Sequence, residues 1–110
     1  MNEPEAEKIA RTESVFREVN EGIAETADRL NATETAFICE CADPTCTERI
    51  EATLDEYEEA RQQGTTFMLV PGHEDKRIET VVERNDDHAV VEKREPATVR
   101  VALALNPRAT

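Results

Sequence analysis

Apolar side chains recur through the first thirty residues at the spacing of an amphipathic helix. They follow one another at intervals of three, four and seven residues, as Ile9, Phe16, Val19, Ile23, Ala27 and Leu30. These intervals place them on one helix face. Asn2 is suited to cap such a helix, and Pro4 fits its first turn. The pattern therefore predicts a long helix within residues 1–31, whose apolar face packs on the domain or pairs with a second copy.

Beyond residue 33 the pattern changes to short stretches that are typical of strands separated by turns. The segments expected to form strands are 35–40, 47–52, 66–70, 78–83 and 89–93. Thr53 and Glu56 have the spacing of a capping box. We therefore expect a short second helix that buries Leu54 and Tyr57 and ends near Gly64.

Taken together, these elements predict a single α+β domain over residues 1–95. It combines a long N-terminal helix, a small and mostly antiparallel sheet of four or five short strands, and one short second helix. The tail, residues 96–110, is bounded by Pro96 and Pro107 and alternates at Val99, Val101, Leu103 and Leu105. Two interpretations of this tail stay open, an edge strand and a disordered segment.

Large side chains that could fill the core of this domain are scarce. Of 110 residues, 38% are hydrophobic, and the chain has three Phe, one Tyr and no Trp. Small domains with thin cores are commonly reinforced by a metal, by disulfides or by self-association. The composition therefore favours some reinforcement of this kind.

The charge of the chain narrows the classes of partner. Its formal net charge is −12, from 13 basic and 25 acidic residues, and no basic stripe interrupts the acids. Such a field repels nucleic acid and anionic lipid, so we expect neither as a partner. The sequence shows no secretion signal and no apolar run that could span a membrane, which predicts a cytoplasmic protein. A solvated surface explains the acidity most simply, and docking on a basic partner is the alternative.

All three cysteines lie within ten residues, in the stretch FICECADPTC. Side chains two apart on a strand share a face, so Cys39 and Cys41 are expected to point the same way. A turn at Asp43-Pro44 would return Cys46 toward them. In a reducing cytosol, clustered thiols indicate a metal site more than a disulfide. Inert buried thiols and a redox switch are the alternatives.

Three thiolates lack one ligand of a tetrahedral zinc site. His73 follows a Pro-Gly turn after the apolar 66–70 segment and is the better of two histidines, because His88 lies in a hairpin turn where exposure is expected. We predict one structural Zn²⁺ per chain, held by Cys39, Cys41, Cys46 and His73. Asp43, Glu40 or a water are alternatives for the fourth ligand.

The chain resembles a group of small uncharacterised proteins of actinobacteria. The likeness covers about residues 9–93 and rests on the motifs VNEGI, FICEC, YEEAR, VPGHE and VVEK. The residues that match are Cys39, Cys41, Cys46, Tyr57, Arg61, Phe67, Pro71, Gly72 and His73. The resemblance implies a bacterial cytosolic protein and groups these motifs together. It implies no activity, and it does not include the tail.

We expect a non-enzymatic binding or adaptor domain that acts through contacts with a protein partner or a second copy. The predicted contact residues are those of the helix stripe, Ile9, Phe16, Val19, Ile23 and Leu30. No catalytic residue and no small-molecule substrate is evident from the sequence. A thiol-based redox or metal sensor built on the cysteines is the alternative. A metalloenzyme with an open fourth metal position is the third candidate.

Overall fold

The computed structural model describes residues 1–108 and confirms the α+β class. Its elements are α1 (Glu3–Arg29), β1 (Glu34–Ile38), β2 (Arg49–Thr53), α2 (Leu54–Ala60), β3 (Thr66–Leu69), β4 (Glu79–Arg84), β5 (Ala89–Lys93) and α3 (Pro96–Ala104). The Asn2 side chain caps α1, and Thr53 and Glu56 form the predicted capping box of α2. The long N-terminal helix and the short second helix therefore form where local sequence signals place them.

The five strands form two antiparallel sheets. One is the β1–β2 hairpin, in which Phe37 pairs with Ile50. The other has the order β3-β5-β4, with Phe67 opposite Val91. The Glu40 N–H, just beyond β1, donates to the Met68 carbonyl at 2.9 Å and so ties the hairpin to β3. The two sheets thus meet beside the cysteine segment.

Helix α1 does not bury its most apolar side. The residues facing the core are small or polar: Ala6, Ala10, Glu13, Ser14, Arg17, Asn20, Ala24 and Ala27. The predicted stripe lies beside this face, so Val19 and Leu30 keep 47% and 74% of their surface exposed. Ile23 is half-buried and packs against the core. Of the stripe, only Ala27 is fully inside.

Buried polar partners explain this rotation of the helix. Arg17 donates to the Gly64 carbonyl at 2.6 Å and to the Ala102 carbonyl at 2.8 Å. Asn20 binds the end of β1. Buried backbone groups without hydrogen-bond partners would lower the stability of the fold. The helix therefore buries the side that carries Arg17 and Asn20.

The tail forms a third helix, so the predicted edge strand is wrong. The Glu95 side chain caps α3 by accepting from the Thr98 N–H at 2.7 Å, and Pro96 occupies its first turn. The residues that α3 buries are Ala97, Thr98, Val101 and Ala102, a helical spacing rather than a strand alternation. The helix packs on α1. Described structure thus extends to residue 108, and only residues 109 and 110 of the predicted tail lie outside it.

A buried ionic cluster joins α1 to β4 and β5. Lys93 Nζ lies 2.6 Å from Glu13 Oε1 and also contacts the Glu79 carboxylate, and all three side chains are fully buried. Lys93 and Arg17 both sit over the Phe67 ring, at 4.6 and 4.3 Å from its centroid. Burial raises the pKa of the Glu13 carboxyl to about 8; Lys93 opposes this effect and Glu79 adds to it. The Lys93 ammonium thus balances the charge of the Glu79 carboxylate, while the Glu13 carboxyl retains its proton at neutral pH.

We expect the protein to become less stable as the pH rises, because the Glu13 carboxyl then loses the proton that it holds in the folded state. The pKa of Glu13 is about 8 when folded, against an ordinary value of 4.5, so its stabilising contribution is complete below about pH 4.5 and lost through pH 8. Urea unfolding of metal-loaded protein between about pH 6 and 9 should show this fall, at no more than about 1.4 kcal/mol per pH unit from one proton.

Glu13→Gln should reduce this slope, because a neutral amide has no proton to lose, and should leave the smaller part below pH 7 that comes from Glu40, whose pKa burial raises to about 7. Glu18→Gln, on the exposed side of the same helix, is the matched control and should keep the wild-type slope. Equal slopes in wild type and Glu13→Gln would contradict the assignment of the proton to Glu13.

Candidate metal centre

The tip of the β1–β2 hairpin carries the three thiols. Cys39 and Cys41 follow β1 directly and are buried, whereas Cys46 is half-buried. Asp43 builds the turn between them, because its carboxylate accepts from the Thr45 N–H at 2.8 Å and from the Thr45 hydroxyl at 2.7 Å. The Cys46 N–H then donates to the Asp43 carbonyl at 3.1 Å. This turn returns Cys46 toward the first two cysteines, as predicted.

His73 reaches the thiols from the far end of β3. The strand ends at Leu69, and Gly72 takes a φ of 94°, a left-handed conformation that glycine adopts without strain. The His73 N–H closes this turn on the Val70 carbonyl at 3.0 Å. His73 Nδ1 then lies 3.5 Å from Cys39 Sγ and 3.7 Å from Cys46 Sγ. The Pro-Gly turn therefore aims the imidazole at the cysteine segment.

The four predicted side chains converge. The three sulfurs of Cys39, Cys41 and Cys46 and a ring nitrogen of His73 all lie within 4.8 Å of one another. Zinc bonded to sulfur at about 2.3 Å would hold its tetrahedral ligands roughly 3.8 Å apart. With a zinc–nitrogen bond of about 2.0–2.1 Å, the sulfur–nitrogen separation would be roughly 3.6 Å, close to the 3.5 and 3.7 Å between His73 Nδ1 and the sulfurs of Cys39 and Cys46. Three thiols and one imidazole at these distances form a site that could bind one metal ion.

The thiols perturb one another strongly. The pKa of the Cys41 thiol is lowered to about 5, chiefly because the Cys39 thiol donates to it, with burial opposing and His73 assisting. The pKa of Cys39 is raised, because it keeps the proton it shares with Cys41 and because it is buried. Burial also raises the pKa of Cys46. Without a metal, the pKa of only one of the three thiols, Cys41, is lowered. A bound divalent cation would compensate the negative charge of three thiolates.

A buried clamp fixes the backbone that leads into the cysteines. Asn20 of α1 donates to the Ile38 carbonyl at 2.8 Å and accepts from the Ile38 N–H at 2.9 Å. It also donates to Glu40 Oε2 at 2.7 Å, while the Met68 N–H donates to Glu40 Oε1 at 2.9 Å. Burial raises the pKa of Glu40 to about 7, and these hydrogen bonds oppose that rise. The clamp holds the chain on both sides of Cys39.

Cys39 itself receives a backbone hydrogen bond. The Val70 N–H donates to Cys39 Sγ at 3.2 Å. A donated N–H stabilises a sulfur that carries negative charge, as a metal-bound thiolate does. The end of β3 therefore supports the ligand sulfur as well as supplying His73.

The alternatives for the fourth ligand do not join the cluster. Asp43 is occupied by Thr45, and Glu40 is held by Asn20 and Met68. The prediction that His88 is solvent-exposed is wrong, because the residue is buried, with 2% of its surface exposed. Its backbone N–H donates to the Asn85 side chain at 2.8 Å within the turn between β4 and β5. It lies outside the group of four convergent side chains.

The clamp residues were not identified from the sequence. Glu40 was considered there only as an alternative metal ligand, and Asn20, which lies mid-helix among charged neighbours, was not singled out. The available signal was the spacing of Glu13, Arg17 and Asn20, which places three polar residues on the same face as Ala6, Ala10 and Ala24. A polar stripe bordered by alanines indicates a face that buries hydrogen-bonding groups.

The predicted contact residues of α1 border a shallow groove. Val19, Ile23 and Leu30 line a depression of about 540 Å³, together with smaller side chains. Ile9 and Phe16 lie outside its lining and are half-buried. Gly22 opens into the groove, where an added Cβ would meet no atom within 4 Å. Nothing within the described chain therefore requires glycine at this position, although it weakens the helix.

Comparison with known protein families, with curated proteins and with solved structures finds no match to this chain. Within residues 1–108, every helix is too short or too polar to cross a membrane. The geometry of the site and of the surrounding surfaces therefore carries the functional argument.

Proposed function

We propose that the protein is a small zinc-stabilised binding domain, in which Cys39, Cys41, Cys46 and His73 hold one structural Zn²⁺. The observation that carries this proposal is the convergence of four ligand atoms within 4.8 Å. Thiolate and imidazole donors suit zinc, whereas Mg²⁺ and Ca²⁺ prefer oxygen ligands. Zinc would join the hairpin tip to the end of β3 and so reinforce a core of few large side chains.

A structural role follows from the composition of the ligand set. Structural zinc sites are closed by four protein ligands, whereas catalytic sites keep one position for water or substrate. Four protein ligands are present here, and two of them are buried. The protein then acts through contacts with other proteins, for which Val19 and Leu30 offer exposed apolar surface on α1.

One experiment tests both parts of this proposal. Zinc-loaded protein, with metal and chain quantified on the same sample, should contain one zinc per chain and should associate in equilibrium sedimentation. Val19→Glu with Leu30→Glu should abolish the association, because charge would enter an apolar contact. Val82→Glu, at a residue 53% exposed on β4, is the matched control and should leave association unchanged. Zinc-loaded wild type that sediments only as monomer and retains no protein from lysate would contradict the binding role.

The alternative function is a thiol-based redox or metal sensor. The observation that favours it is the partial exposure of Cys46, the one thiol of the three that is not buried. An oxidant could reach this sulfur while the metal still protects the others. Mild peroxide should then release zinc reversibly from the same sample. Retention of zinc at peroxide concentrations that oxidise ordinary thiols would exclude a sensor.

A further inference from the structure

A second surface, distinct from the metal centre, lies between the C-terminal half of α1 and the start of α2. It is a cleft of about 850 Å³ with a strongly acidic lining. Its charged lining residues are Glu21, Glu25, Asp28, Asp55, Glu58 and Arg108. Five carboxylates thus face a single guanidinium.

The Arg108 guanidinium fills one end of the cleft. Arg108 donates to both carboxylate oxygens of Glu21, at 2.6 and 2.9 Å, and to both oxygens of Glu58, at 2.8 and 3.0 Å. Its guanidinium carbon lies 5.9 Å from the centroid of the Tyr57 ring. Paired bidentate contacts of this kind match the planar donors of arginine and not a lysine ammonium. One end of the cleft is therefore shaped for an arginine.

The walls of this arginine position are fixed, while its occupant is exposed. Arg61 is fully buried and donates from Nε and Nη2 to Glu21 Oε1, at 3.1 and 2.9 Å. Arg61 Nη2 also holds the side chain of Asn106, at 2.8 Å. The Arg108 side chain, in contrast, remains 37% exposed near the end of the chain. Replacing its guanidinium would leave Glu21 in place.

The rest of the cleft carries charge that Arg108 does not reach. Asp28 and Asp55 take part in none of the ion pairs formed among residues 1–108. Glu21 and Asp28 are separated along α1 by about 10 Å, from seven residues at 1.5 Å each. A segment in the polyproline II conformation rises about 9 Å over three residues and completes one turn, so side chains three residues apart share a face and span nearly the same distance. A segment with two arginines three residues apart would place one guanidinium at each end.

We propose that this cleft is a recognition groove for a basic segment of another protein, with arginines three residues apart, and that Arg108 fills its first arginine position until a partner displaces it. The proposal supplies the partner chemistry for the protein-binding role proposed above, and it rests on that role. Nucleic acid is repelled by the same carboxylates. A second copy of this chain does not fit this groove, because its sequence has no two arginines three residues apart. Arg108 thus acts as an internal competitor.

The test measures binding of a fluorescent peptide, Gly-Ser-Arg-Gly-Ser-Arg-Gly-Ser, to the zinc-loaded protein by anisotropy at about 0.15 M salt. Arg108→Ala should tighten binding roughly five-fold, because the competitor is gone. Arg108→Lys should tighten it less, because lysine keeps the charge but loses the paired contacts. Asp28→Asn with Asp55→Asn should weaken binding by a similar factor. A peptide with glutamine in place of both arginines should not bind.

Glu51→Gln with Glu83→Gln is the matched control, since it removes two exposed charges away from the cleft. Unchanged or weaker binding by a folded Arg108→Ala variant would overturn the proposal. Equal weakening by the control pair would also overturn it, because the attraction would then be general. Zinc content, measured on the same samples, separates the two ideas. If the protein contains one zinc per chain but binds no peptide, the groove proposal is wrong and the zinc proposal stands. If the protein binds peptide but contains no zinc, the zinc proposal is wrong and the groove proposal stands.

Discussion

Removing the proposed zinc with a chelator at neutral pH should unfold the protein. A structural zinc site contributes on the order of 10 kcal/mol of apparent binding free energy, whereas a whole domain is stable by about 5–15 kcal/mol. Few large side chains fill the core, so little of this loss would be offset by packing. Circular dichroism during titration with a chelator should show helix content falling together with zinc release. Added zinc should restore it. A native spectrum and an unchanged melting temperature in metal-free protein would contradict a structural role.

The two histidines provide a matched pair for the same measurement. His73→Gln should reduce zinc affinity by more than about 100-fold, beyond the 10- to 100-fold range typical of residues that only support a ligand. His88→Gln should retain one zinc per chain, even though its loss from a buried turn lowers stability. Equal zinc loss in the two variants would show that His73 does not bind the metal.

Asn20→Ala should combine a large loss of stability with weaker metal binding. The change would remove two hydrogen bonds to the Ile38 backbone and one to Glu40. It would leave the Ile38 backbone N–H and carbonyl and one oxygen of the buried Glu40 carboxyl without these partners, at about 1–3 kcal/mol for each unsatisfied group. Because the clamp holds the chain on both sides of Cys39, zinc affinity should fall roughly ten-fold. Urea unfolding and competition with a metal indicator measure the two effects.

Glu18→Ala, on the exposed side of the same helix, serves as the control and should change stability by less than about 0.5 kcal/mol. The absorption spectrum of the Co²⁺-substituted protein adds a readout of ligand geometry. A less stable Asn20→Ala protein with wild-type zinc affinity and an unchanged cobalt spectrum would mean that Asn20 supports the fold only. It would then have no part in positioning the metal ligands.

Local signals in the sequence were sufficient for most elements of the fold. The capping residues Asn2 and Thr53 act on neighbouring backbone groups, so the starts of α1 and α2 are local properties. The apolar segment of β3 and the turn between β4 and β5 were likewise recognisable. The tail was misassigned because Val99, Val101, Leu103 and Leu105 fit a strand alternation as well as a helix. The contact of α3 with α1 decides between the two.

The candidate ligand set was predictable because it depends on residue chemistry and on two turns. Clustered cysteines are typical of metal sites, and the Asp43-Pro44 and Pro71-Gly72 turns limit where Cys46 and His73 can point. The supporting groups were not predictable in this way. Glu40 and Asn20 are 20 residues apart in the chain, and their hydrogen bond exists only because α1 packs across the end of β1.

The amino-acid sequence by itself determined α1 and α2 with their local caps, the strands and the four side chains that converge, since each depends on neighbouring residues or on intrinsic side-chain chemistry. The tertiary structure alone decided which side of α1 is buried. Amphipathic patterning favours the more apolar side, but the carbonyls, carboxylate and lysine that meet α1 come from distant segments and require polar partners. It also decided that Arg108 lies between Glu21 and Glu58, across 87 and 50 residues of chain. No local pattern encodes contacts over such separations, because they arise only when the elements pack.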